Sequence, residues 1–251
     1  MYISRILRRK MLWVASGLVM IVLVVVISIW QWRTAHLRNA LVDDSLLSDI
    51  PCAAPCWQGI VPGKTSRSQV MQILRANPYI RDDSLEEAGT TEVGGVTWWW
   101  SIPGRRLQPS ILWQDNTVQE ITLGLTYDLT VDQVVNKFGP PESLNVGIGG
   151  VPEHQYWIID LYYPGEGIQF KAYTSESSSL LEPSTEVGVV IYFVPSSLEE
   201  RVADIYSYGE SDTSGQHVIV SHIMNLMRPW REYGDLFEIY YESPQDLKLQ
   251  E

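Results

Sequence analysis

Gly124-Leu-Thr-Tyr-Asp-Leu-Thr-Val-Asp-Gln-Val-Val-Asn-Lys-Phe-Gly139-Pro-Pro-Glu142 holds the reading on which the fold turns. Thr130 is a hydroxyl residue placed to cap a helix. Apolar residues follow at three- and four-residue spacing, and Gly139-Pro140-Pro141 stops the helix. An earlier stretch, Gly59-Ile-Val-Pro-Gly-Lys-Thr-Ser-Arg-Ser-Gln-Val-Met-Gln-Ile-Leu74, has the same design. Aligning Ser66 with Thr130, an offset of 64 positions, sets Gln69 on Gln133, Val70 on Val134 and Leu74 on Phe138. This first helix stops at Asn77-Pro78. Self-similarity at one offset constrains a whole architecture, where a single motif constrains only its own turn.

Strand-like runs follow both helices. After the first come Thr90–Ile102, Ser110–Gln114 and Val118–Leu125, with Pro103-Gly104 as a break and Asp115-Asn116 as a hairpin turn. After the second come Gln155–Tyr163, Gly167–Tyr173 and Glu186–Val194, with the turn Pro164-Gly165-Glu166-Gly167 between the first two. Thr174–Thr185 reads as a longer loop and Gly147-Ile-Gly-Gly150 as a flexible hairpin approach. A helix followed by three antiparallel strands, twice, predicts an α+β fold in which short helices cover one sheet face. The expected first repeat spans 51–125 and the second 126–195. A C-terminal extension over 196–251 packs on them, with a helix at Leu198–Tyr206, a strand at His217–Ser221, a short helix at Ile223–Trp230 and an aromatic stretch at Asp235–Tyr241.

The patterns Gly-Ile-x-Pro-Gly-x-Thr before the first helix and Leu-Thr-x-x-Gln-Val-x-x-x-Phe-Gly-Pro-Pro around the second resemble the repeat of the β-lactamase-inhibitor-protein-like and small outer-membrane assembly lipoprotein families. The resemblance covers about residues 57–195. It implies a short helical pair packed against a small antiparallel sheet, in tandem, and a sheet face that binds proteins through aromatic side chains. The chain departs from the lipoprotein type by an apolar anchor in place of an acylated Cys, and from the secreted inhibitor by that anchor and its single cysteine pair. The fold carries over on this reading; the partner does not.

Met11 to Trp30 is an uncharged apolar run preceded by Arg5, Arg8, Arg9 and Lys10. As a helix of about 1.5 Å rise per residue it would span the hydrocarbon core of a bilayer, with Trp13, Trp30 and Trp32 as interfacial anchors. A cleaved signal peptide would have a shorter core and a small-residue cleavage site; a buried soluble helix would need an apolar surround that the chain hardly provides. The expectation is a cytoplasmic tail over 1–10, a transmembrane anchor over 11–32, a connector over 33–50 and an extracytoplasmic remainder.

The only cysteines, Cys52 and Cys56, lie in Pro-Cys-Ala-Ala-Pro-Cys-Trp, where two prolines break any regular helix. Outside the cytoplasm a local disulfide is expected; a redox pair or half a metal site are the alternatives, though neither has its usual spacing or further ligands. The net charge is −12, and positions 1–40 hold six basic residues and no acidic one, so residues 41–251 carry −18. That balance repels phosphate backbones and argues against nucleic acid.

Trp98-Trp99-Trp100 is the most unusual local feature. In a strand Trp98 and Trp100 share one face and Trp99 takes the other. With Trp113, Tyr156, Trp157, Tyr162 and Tyr163 on neighbouring strands they make a candidate aromatic binding surface, against the alternative that they fill the core. His36, His154, His217 and His222 form no site, and no catalytic motif, metal site or cofactor fingerprint is present. The expected function is a membrane-anchored extracytoplasmic protein that binds another protein or an envelope component. A hydrolase using carboxylates and a passive spacer are the alternatives.

Overall fold

The computed structural model describes Met20 and residues 45–77, 80–99, 108–151, 154–174, 178–207 and 213–241. The expected anchor lies outside these residues apart from Met20, as do His36, Trp100 and Pro103-Gly104. Among the described residues no helix is long and apolar enough to cross a membrane. The chain divides into two compact units, Met1–Val42 and Asp43–Glu251.

The second unit is an α+β fold dominated by one antiparallel sheet of eight strands. Its elements are α1 (Ser45–Ser48), α2 (Arg67–Ala76), β1 (Glu86–Gly89), β2 (Val93–Thr97), β3 (Ser110–Gln114), β4 (Thr117–Thr130), α3 (Val131–Phe138), β5 (Ser143–Val151), β6 (His154–Tyr163), β7 (Ile168–Tyr173), β8 (Leu180–Leu181), β9 (Glu186–Phe193), α4 (Leu198–Ser207), α5 (Thr213–Leu226), β10 (Gly234–Asp235) and α6 (Leu236–Ile239). The sheet order is β1-β2-β3-β4-β9-β7-β6-β5, and β8 and β10 form a separate two-stranded pair. Two meanders therefore meet along β4 and β9.

Both expected hydroxyl caps form, and each is a capping box. Ser66 and Thr130 each accept from the backbone of the glutamine three residues on, and that glutamine side chain returns to the cap backbone. Each box satisfies amide donors that a helix start would otherwise leave bare. Val70, Met71 and Leu74 of α2, with Val131 and Val134 of α3, enter the main core on one sheet face beside Ile111, Ile121, Ile159 and Phe170. Asp115 and Asn116 take φ +48 and +63, the left-handed pair of a two-residue hairpin joining β3 to β4.

Other expectations need correction. Thr90–Ile102 is not one strand: Thr90 turns the chain between β1 and β2, its Oγ1 accepting from the amides of Glu92 and Val93 at 3.1 and 3.2 Å. Gly147–Gly150 is not a loose approach but part of β5, paired residue for residue with β6. His217–Ser221 is helix, not strand; it lies inside α5, whose Val220, Ile223 and Leu226 recur at helical spacing, with Met227 just past its end in the same apolar cluster. α4 and α5 also cover the sheet face opposite to α2 and α3, packing on Tyr162. The helices are thus on both faces. The aromatic tail through Leu236, Tyr240 and Tyr241 closes the main core at the β5 end, where Leu144 and Arg228 exchange backbone hydrogen bonds of 2.8 and 2.9 Å.

Candidate binding surface

Trp98 and Trp99 follow the end of β2 at Thr97 and differ in burial. Trp98 is fully buried and stacks on Trp57 with ring centroids 5.7 Å apart. Trp99 is 39% exposed. Trp113 is buried, its indole Nε1 donating to the Thr90 carbonyl at 2.8 Å while the Arg67 guanidinium sits 5.1 Å from its ring centroid. Tyr162 is buried beneath α4 and α5. Trp98, Trp113 and Tyr162 therefore present no surface, because the main core and the second helical layer claim them. Trp99 stands apart from the remaining candidates in the sheet order.

Tyr156 and Trp157 remain half-buried near the tip of the β5–β6 hairpin, on opposite faces of it. Trp157 faces Ile148, which is 49% exposed, and meets the Phe237 ring edge-on at 4.9 Å. On the other face Tyr156 lies across Gly149, where a Cβ would come within 2.6 Å of the ring. Glycine is needed there for the aromatic to lie flat on the strand. Tyr156 also meets Tyr173 edge-on at 5.8 Å. Val151 adds a further exposed apolar side chain at the end of β5. One hairpin thus carries apolar and aromatic side chains on both faces, partly open to solvent. Phe237, Ile148 and Tyr173 belong to this cluster but were not singled out from sequence, since only strand register and a tail contact bring them there.

A charged row crosses the same face as Tyr156 and Tyr162. Arg201 of α4 donates to Glu120 at 2.8 Å and to Gln169 at 3.0 Å, and its guanidinium lies 4.1 Å from the Phe193 ring centroid. Gln169 Nε2 and Lys171 Nζ both donate to Asp160, at 2.9 and 2.7 Å. Thr122 donates to the other Glu120 oxygen at 3.1 Å. Arg201 is 3% exposed, and each cation of the row has a carboxylate partner. Beside it, burial raises the Asp204 carboxyl against the opposing pull of Arg201, with Glu200 and Glu120 adding to the rise. Burial, then Asp160 and then Tyr156, pushes the Tyr173 hydroxyl up to about 12. The row fastens α4 to the sheet; its carboxylates hold cations.

Cys52 and Cys56 lie at disulfide distance, with Cα atoms 5.7 Å apart. Among the described residues no group of three or more His, Cys, Asp or Glu side chains could hold a metal ion. Two surface clefts stand out. One, of 490 Å³, is lined by Met71, Arg75, Leu85 and Glu87. The other, of 470 Å³, lies between Arg228, Arg231 and the α6 segment. Compared with protein-family models, characterised proteins and solved structures, the chain matches none at a significant level.

Proposed function

We propose that this chain is a single-pass, membrane-anchored binding protein whose α+β unit lies outside the cytoplasm and captures another protein through the tip of the β5–β6 hairpin. The observation that carries the reading is that both faces of this hairpin, Ile148, Trp157 and Phe237 on one and Tyr156 with Tyr173 on the other, leave apolar and aromatic surface partly open beside a sheet edge. Partly exposed aromatic anchors ringed by polar side chains are what binding hot spots are made of. The anchor itself rests on the uncharged run Met11–Trp30 and the basic residues before it. The paired cysteines suit an oxidising compartment, and the tandem helix-and-strand organisation rests on the two capping-box segments. Glu120 and Asp160 are occupied by Arg201 and Lys171, which favours a binding role over a carboxylate hydrolase.

The test is a pull-down from detergent-solubilised membranes with the full chain, beside an Ile148→Ser, Trp157→Ser double variant. A partner held by the native chain and released by the folded variant supports the reading. The same partner held equally by both sinks the hairpin surface. Loss of one aromatic anchor should weaken capture about 30-fold, the equivalent of about 2 kcal/mol.

A further inference from the structure

Among the described residues Arg67, Arg81, Lys137, Lys171 and Arg201 each pair with a carboxylate. Arg228 and Arg231 hold main-chain carbonyls instead. Arg228 donates from Nε to Tyr240 at 3.0 Å and from Nη1 to Asn225 and Met227 at 2.6 and 3.1 Å. Arg231 donates from Nη1 to Ile239 at 2.7 Å. The Tyr241 ring centroid lies 5.1 Å from the Arg228 guanidinium carbon. Tyr240 Oη, accepting from the Arg231 and Glu232 amides at 3.2 and 3.1 Å, ties the turn that carries Arg231 to the same segment.

Both guanidinium groups line the 470 Å³ cleft. They are anchored on the carbonyls of adjacent residues, Tyr240 and Ile239. The Nη2 of Arg228, and the Nε and Nη2 of Arg231, have no protein acceptor among the described residues. The two positive charges that line this cleft are offset only in part by the carbonyl dipoles and by the single carboxylate of Glu238. The remaining N–H donors of the two guanidinium groups suit an oxyanion with more than one charged oxygen. Glu238 stands at the wall and works against an anion.

We propose that the cleft between Arg228 and Arg231 binds a phosphate group, each guanidinium donating to a different oxygen. Its donors are other side chains than those of the hairpin surface, with Phe237 alone common to both, so it stands or falls separately from the proposed protein capture. A doubly charged phosphate matches two fixed cations where a single carboxylate meets only one charge. The overall acidity of the chain keeps such a site local and excludes a long polyanion such as nucleic acid.

The experiment is isothermal titration of the full chain in a neutral detergent with inorganic phosphate, with acetate at matched ionic strength as the singly charged control. Saturable phosphate binding is expected, weakened about tenfold in Arg231→Ala through loss of a charge-assisted contact and strengthened in Glu238→Gln. Arg231 is exposed, and circular dichroism checks that the variants fold; Arg228→Lys probes the second cation without emptying its place. Glu238→Gln keeps the test decisive if the arginine variants unfold. Short-chain phosphatidylglycerol that displaces phosphate would assign the site to a lipid headgroup, and failure to displace it would assign a soluble phosphate ester. No saturable heat, equal binding of acetate, or binding unchanged in folded Arg231→Ala and in Glu238→Gln would overturn the proposal.

Discussion

Replacing Arg201 with methionine keeps most of the aliphatic stem that crosses the Phe193 ring but deletes the buried guanidinium. Two charge-assisted hydrogen bonds are lost, to Glu120 and Gln169, each worth about 1.5–3 kcal/mol. The contact with Phe193 contributes roughly a further 0.5–1 kcal/mol. Against this, Arg201 Nε is buried without a hydrogen-bond partner, and removing it recovers about 1–2 kcal/mol. The net expected cost is about 1.5–6 kcal/mol, centred near 4, which brackets the cost of breaking one side of a buried ion pair. Glu120, left with Thr122 alone, carries much of that cost, so Arg201→Met combined with Glu120→Gln should destabilise by less than the sum of the single changes. Urea unfolding of the full chain in detergent, followed by tryptophan fluorescence, measures all three variants. A loss below about 1 kcal/mol for Arg201→Met, or strict additivity in the cycle, would refute the view that this side chain fastens α4 to the sheet.

Three further outcomes are expected. Cys52→Ser should lower stability by about 2 kcal/mol, the loop-closure value for so short a ring, and mass spectrometry of non-reduced peptides should show Cys52 joined to Cys56; free thiols in native protein would contradict it. Trp113→Ala, which empties a fully buried site, should cost about 3–5 kcal/mol, whereas Trp157→Ser at the half-open hairpin should cost about 1–2 kcal/mol; equal losses by urea midpoint would erase the distinction between core and surface drawn here. Tyr173 ionises near 12 in the fold, against about 10 when unfolded, so its neutral form favours folding: that contribution is complete below about pH 10 and is lost as pH climbs toward 12. Tyrosinate difference absorbance of the folded chain would show this late titration, and a single midpoint near 10 for every tyrosine would rule it out.

Local chemistry made much of the fold legible. Ser66 and Thr130 announce their helices because a hydroxyl cap satisfies a specific backbone donor; the return bond of the glutamine three residues on is seen only in the fold. Asp115-Asn116 announces its hairpin because both residues tolerate positive φ. β5 was illegible because its glycines matter only for what lies across them, and Tyr156 is reached through the pairing with β6. α5 was misread because five alternating residues fit a strand as well as one side of a helix, and the tertiary contact with Tyr162 decides between them. The tryptophan run could be assigned alternating faces, but not which face meets the core: Trp57, far off in sequence, takes Trp98 inward. The arginines at 228 and 231 carried no motif, since their acceptors are carbonyls contributed by the fold.

The seam between β4 and β9 has a consequence for the order in which the molecule can be built. A chain that emerges from its amino end presents β1 to β4 while β9 is still to come, and in the finished sheet none of β5, β6 and β7 pairs with β4. The longest strand of the sheet, Thr117–Thr130, therefore waits with one backbone edge open until Glu186–Phe193 arrives. During that interval the nascent protein displays a ready template for foreign strands. Arrival of β9 closes the edge and joins the halves in a single step, and α4, which follows at once, bolts the joint through Arg201 to Glu120 on one side of the seam and Gln169 beyond the other.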